Sequence, residues 1–410
     1  MAVLDSPDAA EDDSPRLRIG ALRPRRGQLK FRIDEEEQDR RVSPLELLFD
    51  LVFVVAVAGL VEFLRHVPSW SGGLQYVALF AAIWWTWVTY TFYGDRFDND
   101  DRLHRLMMLG AMLAVLVMAV SIYEAFSSRQ GAVGFAVGYV AGRLLLVGLY
   151  ARAHYHIPKA RPLTRRYMTG FAAGAAIWTA AVFVPQPYCY LLWVTGLAAE
   201  FLVPFLSAGV IAQVPFDLEH IPERFGMFTI IALGEVIALN AIGLDESDLR
   251  PKALAVVAGT FFLAAAQWWL VFDHVDSAQL RSWRLGGQGY VYGHLAVCCG
   301  IGMTGVGGLL AADALKGGGH GANWGPVLCT GVAVFLLAIG LIHLLNSGHR
   351  GDLRGWTRIG LGLACLVLAA VDPALDPVLY EAVLIAGLSG QILIETRTAG
   401  PTEPAPGRLT

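Results

Sequence analysis

Long apolar stretches recur along this chain of 410 residues, and short polar segments separate them. A helix of about 20 residues crosses the roughly 30 Å of hydrocarbon in a membrane, and the stretches are of that length. Glycine, proline and charged residues mark the junctions. The pattern predicts an all-α membrane bundle of about twelve spans, over residues 45–66, 72–93, 103–124, 130–151, 168–185, 188–206, 224–242, 252–273, 288–312, 325–345, 356–371 and 378–395.

The composition also indicates a multi-pass membrane protein. Hydrophobic residues make up 55% of the chain and charged residues 16%, whereas about 25% of a soluble domain is charged. The mean hydropathy is +0.51. A formal net charge of −4 gives no reason to expect nucleic acid as a partner, so we expect membrane lipids around the bundle. The five cysteines show no metal-ligand spacing, and we interpret them as small core residues.

The two ends of the chain lack apolar stretches. Residues 1–43 are rich in arginine, proline and acidic residues, and we predict a disordered basic tail there; residues 396–410 are predicted as a second disordered tail. The first tail alone carries nine lysine and arginine residues, and most of the others fall on its side of the membrane. By the positive-inside rule, both tails are cytosolic.

The two halves of the predicted bundle resemble each other. "SPLELLFDLVFVVAVAGL" opens the first half and "IPERFGMFTIIALGEVIAL" the second, each with proline, then glutamate, then an apolar helix. A tryptophan pair follows in the next span of each half. Six spans per half give both halves the same orientation. We therefore predict two parallel six-helix repeats, residues 44–206 and 207–395, with the special sites at their interface.

Three segments together resemble one protein family. "RVSPLELLFDLVFVVAVAGL", "WWTWVTYTFYGDRFDNDDRLHRLMML" and "HIPERFGMFTIIALGEVIAL" look like the marker segments of the bacterial low-temperature-requirement protein A (LtrA) family. The similarity covers about residues 40–395. It implies a polytopic inner-membrane protein and no particular biochemical activity. The positions that the resemblance marks as special are Glu46, Asp50, Asp98, Asp101, Arg105, Glu223, Arg224 and Glu235.

Carboxylates gather near the predicted cytosolic ends of the spans. Glu46 and Asp50 lie four residues apart, on one face of the first span. Glu223 opens the seventh span, and Glu235 lies well inside it, where a charged residue is costly and suggests function. We predict catalytic or ion-coupling roles for Glu46, Asp50, Glu223 and Glu235. The alternatives are helix caps and structural ion pairs, for example Glu235 with Arg143.

A second group of carboxylates closes the second span, in "YTFYGDRFDNDD". "DHVD" at the end of the eighth span would add a matching group on the same side. Two such groups suit Mg²⁺, which takes oxygen ligands and often bridges to phosphates, and arginines can hold the same phosphates. We predict metal ligands at Asp95, Asp98, Asp101, Asp273 and Asp276, and substrate contacts at Arg96, Arg102, Arg105, Arg224 and Arg281.

Three functions remain open from the residues. The first is an intramembrane enzyme that acts on a lipid or isoprenoid substrate, such as a diphosphate, with Mg²⁺. The second is a proton- or cation-coupled secondary transporter with its coupling site at Glu46, Asp50 and Glu235. The third is a non-catalytic membrane factor with a structural charge network. Carboxylates near the membrane surface favour the enzyme, and carboxylates at mid-depth favour the transporter.

The enzyme hypothesis draws on a likeness of mechanism. The paired acidic groups are similar to those of the intramembrane UbiA-type prenyltransferases, which have two Asp-rich motifs at cytosolic helix ends and an apolar tunnel for an isoprenoid chain. The second motif here is not "DxxxD", and the span number differs, so the likeness does not extend to kinship. Most of the carboxylates lie near the surface, and we therefore favour an enzyme that acts on an amphipathic small molecule. The oligomeric state stays open.

Overall fold

The fold is a bundle of long helices. The structure, a computed structural model, describes residues 30–31, 43–98, 101–211, 220–242, 250–272, 287–315, 323–346, 352–372 and 375–398. Within them the first half contains α1 (Pro44–His66), α2 (Trp70–Arg96), α3 (Arg102–Ser121), α4 (Arg129–His156), α5 (Arg161–Phe183), α6 (Tyr188–Leu206) and the short α7 (Ala208–Ile211). The second half contains α8 (His220–Ile242), α9 (Pro251–Phe272), α10 (Gln288–Ala314), α11 (Trp324–Asn346), α12 (Leu353–Val371) and α13 (Pro377–Thr398).

The helices confirm the prediction of an all-α polytopic membrane bundle. Among the described residues, ten helices are long and apolar enough to cross a membrane. The other two long helices, α2 and α5, have 27 and 23 residues but are less hydrophobic, because tryptophan and tyrosine crowd α2 and arginines open α5. All twelve predicted spans therefore correspond to helices. α5 begins at Arg161, seven residues before its predicted start, because its first turns are cationic and carry no hydrophobic signal.

Polar caps start several of these helices. Ser43 and Glu46 form a reciprocal capping box at α1, in which each side chain accepts the other residue's backbone N–H at 3.2 Å. Ser69 caps α2 and Ser128 caps α4 in a similar way. Such caps satisfy backbone donors that a helix start leaves unpaired. The pattern of a serine before an apolar run therefore fixes where these spans begin.

Two helices occupy the centre of the bundle. The span window of α10 is 89% buried, and α2 is buried along most of its length. α10 crosses α11 closely at Gly300 and Gly331, where an added Cβ at Gly300 would lie 2.6 Å from the backbone nitrogen of Phe335. Only glycine permits this approach, as in other membrane helix pairs.

The two halves have a similar order of neighbours. α1 packs against α2 and α3, and α8 packs against α9 and α10; between the halves, α1 contacts α8 and α10. The division into two repeats at residues 206 and 207 stays a prediction. Lys30 and Phe31, which lie within the tail predicted at residues 1–43, pair antiparallel with Asp98 and Phe97 as strands β1 and β2.

Candidate functional site

A buried ion pair joins the beginnings of the two halves. Asp50 on α1 accepts a hydrogen bond from Nη2 of Arg224 on α8 at 2.9 Å, and another from the indole nitrogen of Trp87 on α2 at 2.8 Å. Nη1 of Arg224 lies 3.8 Å from Glu46. Asp50 and Arg224 are only 4% and 3% exposed. We call Glu46, Asp50, Trp87 and Arg224 the Asp50 cluster.

The sequence places the members of the Asp50 cluster by simple spacing. Glu46 and Asp50 stand one turn apart at the start of α1, and Arg224 stands in the second turn of α8. Phe53 and Phe228, one turn deeper, have ring centroids 6.4 Å apart. The two helices thus run side by side from the same membrane surface. The structure therefore brings together three residues that the sequence analysis singled out, Glu46, Asp50 and Arg224, and their predicted roles stay predictions.

A second ion pair lies wholly inside the first half. Nε of Arg143 on α4 is 2.7 Å from Oε2 of Glu200 on α6, and both residues are 0% exposed. The same carboxylate oxygen accepts hydrogen bonds from Tyr139 at 2.8 Å and from Trp85 at 3.1 Å. Arg143 also donates to Thr89 at 2.9 Å. We call these five residues the Glu200 cluster.

The partner of Arg143 corrects the sequence interpretation. The sequence analysis offered an ion pair between Glu235 and Arg143 as an alternative to a functional role for Glu235. That pairing is wrong, because Arg143 is paired with Glu200. The sequence does mark Glu200 as unusual, since it is a lone carboxylate in an otherwise apolar span. An added Cβ on Gly174 of α5 would collide with the Glu200 carboxylate, so a glycine makes room for it. That detail has no signature in a single sequence.

A narrow cavity opens beside the Glu200 cluster. It lies between α2, α5, α6, α7 and α10, and its volume is about 40 Å³. Trp85, Phe92 and Tyr292 are among its aromatic walls, while Arg96 and Gln288 supply polar groups. We call it the Arg96 cavity. Its walls suit an apolar chain, and its polar groups are few, as is typical of small-molecule sites.

Two polar side chains of the cavity are buried. The guanidinium carbon of Arg96 lies 5.3 Å from the ring centroid of Phe92 and 5.7 Å from that of Tyr167, a cation–π arrangement. Gln288 is the first residue of α10, and its preceding residue Gly287 has a φ of 80° and provides no side-chain cap. Neither amide atom of Gln288 has a hydrogen-bond partner within the described part of the chain. A buried amide without partners is costly unless a ligand supplies them.

Comparison with known proteins assigns the family. The sequence pattern of the family described as "Bacterial low temperature requirement A protein (LtrA)" matches residues 41–390. This chain belongs to the LtrA family. It is also 30% identical over 319 residues to the uncharacterized protein RA0937 of Rhizobium meliloti (strain 1021), over 71% of this chain and 76% of that protein. The family match confirms the resemblance found in the three segments, and the chain is a bacterial LtrA membrane protein.

The predicted metal ligands of the LtrA chain do not form one described cluster. Asp95 is buried near the end of α2. Asp101 caps α3, accepting the backbone N–H of His104 at 2.8 Å, and forms an ion pair with Arg152 of α4. In the described ranges, no group of three or more His, Cys, Asp or Glu side chains could hold a metal ion. The side chain of Asp98, together with Asp273 and Asp276, lies outside the described residues, so the metal site stays a prediction.

The remaining predicted residues of the LtrA chain are scattered. Arg102 is exposed and Arg105 half-buried on α3. The side chain of Glu223 is 66% exposed, 3.7 Å from His220. Glu235 is half-buried along α8, and no hydrogen bond or ion pair joins it to another described residue. Arg281 lies outside the described residues. The catalytic and substrate-contact roles of these residues stay predictions.

The ion pair of Asp101 with Arg152 predicts a pH-dependent contribution to stability. Burial alone would raise the pKa of Asp101, but hydrogen bonds from Arg152 and from the His104 N–H outweigh it and hold that pKa below the usual value. The pair therefore contributes its full stabilisation above the unfolded pKa of about 3.9, and the contribution is lost as the pH falls further, through the lowered pKa of the folded state. Asp101→Asn should cost about 1 kcal/mol near neutral pH, measured by thermal unfolding of the purified protein.

The control variant separates the charge from the cap. Asparagine keeps the cap of α3, whereas Asp101→Ala removes it and should cost about 1 kcal/mol more. The gap between wild type and Asp101→Asn should close under acid, while the additional cost of Asp101→Ala should persist. A gap that does not change with pH would show that the Arg152 pair contributes nothing.

Proposed function

We propose that this LtrA protein binds and acts on an amphipathic anionic substrate of the lipid or isoprenoid type. In this proposal the anionic head group lies beside Arg96 and Gln288, and the start of the apolar chain enters the Arg96 cavity, which widens to admit it. The observation that carries it is the buried amide of Gln288, which has no partner among the described residues and faces an apolar cavity. A ligand oxyanion, with a bound proton or water, would satisfy both amide atoms.

The positive charge at the polar end of the cavity supports an anionic head group. The guanidinium of Arg96 is 2% exposed and lies against two aromatic rings, so its position is fixed. The first turn of α10 presents backbone N–H groups and the positive end of the helix dipole at the same end of the cavity. An anion would be attracted by both. Phosphate and diphosphate head groups have this charge.

The apolar walls support a hydrocarbon chain. Trp85, Val88, Val291 and Tyr292 line the cavity below the polar end. Its inner end reaches Trp85, whose indole N–H binds Glu200. The chain of the substrate would therefore stop at the Glu200 cluster, which closes the cavity by an ion pair rather than contacting the reacting group.

The proposal also includes the orientation of the protein in the membrane and the residues that would hold Mg²⁺. We propose an inner-membrane location with both termini cytosolic, which puts the Arg96 end of the cavity at the cytosolic surface. Mg²⁺ would be held by Asp98, Asp273 and Asp276, since Asp101 is already bound to Arg152. The ion would neutralise head-group charge.

A second candidate is proton- or cation-coupled transport. The observation that favours it is Glu235, a half-buried carboxylate within α8 that has no hydrogen bond or ion pair to another described residue. An intramembrane carboxylate of this kind is typical of proton relays. This reading predicts a phenotype that follows external pH and is insensitive to chelators.

Gln288→Leu should weaken binding of an isoprenoid diphosphate by about tenfold or more, because a hydrogen bond to a charged group contributes about 1.5–3 kcal/mol. Farnesyl diphosphate is a suitable probe, with thermal stabilisation of the purified protein as the measurement. The variant itself should fold at least as well as wild type, since Gln288 loses no hydrogen-bond partner among the described residues. EDTA should weaken binding, and Mg²⁺ should restore it.

Two controls make this test specific. Gln391→Leu removes another buried amide, but Gln391 donates to Glu395 and Thr357 far from the cavity, so the variant should lose stability and keep binding. Farnesol, which has the chain without the head group, should bind far more weakly than the diphosphate. Equal binding of farnesol, or unchanged binding in Gln288→Leu, would refute the proposed site.

A further inference from the structure

A carboxyl group of the second half is buried, and no cation of the described residues pairs with it. Glu381 on α13 is 1% exposed, and its Oε1 lies 2.8 Å from Oγ1 of Thr260 on α9. Its Oε2 has no hydrogen-bond partner among the described residues. We propose that Glu381 is a proton-binding site, in which the carboxyl group carries its proton near neutral pH. The site is separate from the Arg96 cavity and independent of the proposed function.

The hydrogen bonds of Thr260 support this assignment. Its hydroxyl lies 2.8 Å from Glu381 and 3.1 Å from the backbone oxygen of Val256. Both the backbone oxygen of Val256 and a Glu381 carboxylate can only accept, and the hydroxyl of Thr260 has one proton to donate. When that proton goes to Val256, the contact with Glu381 becomes a hydrogen bond only if the carboxyl group donates its own proton. A protonated carboxyl group satisfies both bonds, whereas a carboxylate would leave two acceptors competing for one proton.

Glycines shape a niche for the pair. An added Cβ on Gly259 would collide with the carboxyl group of Glu381, and one on Gly308 of α10 would collide with Thr260. Both side chains therefore occupy space that only glycine leaves free. The close fit holds the carboxyl group of Glu381 against the hydroxyl of Thr260. Among the described residues, no cationic side chain lies beside that carboxyl group.

Cations on the helices packed around Glu381 are held elsewhere. They and their partners are Lys252 with Asp376 at 2.9 Å, Arg358 with Glu395 at 2.7 Å, His343 with Asp352 at 2.8 Å, and Arg354 with Thr398 at 3.0 Å. Arg397 lies in the last turn of α13, at the opposite end of that helix. Asp372, at the end of α12, adds only negative charge. An unpaired carboxylate would be very costly here, and protonation removes that cost.

The site lies close to one membrane surface. Glu381 is four residues after Pro377, the first residue of α13, which places it about 6 Å along the helix. Trp324 at the start of α11 packs on Tyr380, and Asn323 binds the backbone of Pro68, just beyond the end of α1. This is the surface at which α1 ends, whereas Glu46 and Asp50 lie at its start. A proton would therefore reach Glu381 from the side opposite the Asp50 cluster.

Infrared spectroscopy of the full chain in lipid nanodiscs tests the assignment. Near neutral pH the wild type should show the C=O absorption of a protonated carboxylic acid, and Glu381→Gln should remove that band. Glu395→Gln is the matched control, because Glu395 lies on the same helix, is 0% exposed, and is held by Arg358. That variant should leave the band intact. Alkaline titration of the wild type should remove the band.

A second variant keeps the test decisive if Glu381→Gln does not fold. Thr260→Val removes the hydrogen-bond partner and should shift the frequency of the band without abolishing it. A band that Glu381→Gln leaves unchanged would overturn the proposal. So would a band that Thr260→Val does not shift, or one that Glu395→Gln removes to the same extent.

Discussion

Glu200→Leu is expected to destabilise the LtrA protein by about 3–5 kcal/mol, one of the two largest effects that we predict. The substitution leaves the guanidinium of Arg143 buried at 0% exposure without its carboxylate. Trp85 and Tyr139 also lose the acceptor of their hydrogen bonds. The measurement is thermal unfolding of the detergent-purified protein, together with the yield of monodisperse protein.

A double replacement distinguishes an unpaired charge from a simple packing defect. Arg143→Leu combined with Glu200→Leu should recover much of the loss, because replacing a buried ion pair with apolar residues is often nearly neutral. Arg143→Leu alone should be as harmful as Glu200→Leu alone. If the double variant is as unstable as the sum of the two single variants, the ion pair is not the cause. Glu124→Gln, at an exposed serine contact, should have little effect.

Arg224→Leu is expected to cost a similar amount, about 3–5 kcal/mol, because it leaves Asp50 buried without its cation. Arg224→Lys should recover only part of the loss, since an ammonium group cannot reach Asp50 and Glu46 with a planar fork. Thermal unfolding again provides the measurement. This variant also removes the ion pair that joins α8 of the second half to α1 of the first half.

Substitutions of Asp50, the carboxylate of the same pair, should lower the stability by different amounts. Asp50→Asn retains an oxygen that can accept from Trp87, so it should be milder than Asp50→Leu. Glu223→Gln is the control next to Arg224, since the Glu223 side chain is 66% exposed and should change stability by less than about 0.5 kcal/mol. Equal losses in Asp50→Asn and Glu223→Gln would mean that the buried pair carries no special weight.

The helices could be located from the sequence because the membrane imposes a local rule. Backbone groups in hydrocarbon must bond within the same helix, so each span needs its own apolar run. The run from Leu45 therefore identified α1. Arginines hid the first turns of α5, which start at Arg161.

Partner choice was decided only by the tertiary structure. Hydrophobic periodicity shows that Arg143, Glu200 and Glu235 are embedded, but not which helices meet or how each is rotated. Contacts of α4 with α6 assign Arg143 to Glu200, and the end of α4 brings Arg152 to Asp101. Neither pair lies within one helix.

By itself the sequence determined the class of protein, the twelve helices and the family, because each follows from local hydropathy or a contiguous motif. Only the tertiary structure decided that Asp101 binds Arg152, that Gln288 faces a cavity, and that Glu381 meets Thr260 in a niche of glycines. Such contacts join distant segments, and their energies depend on burial and distance, which no local pattern encodes.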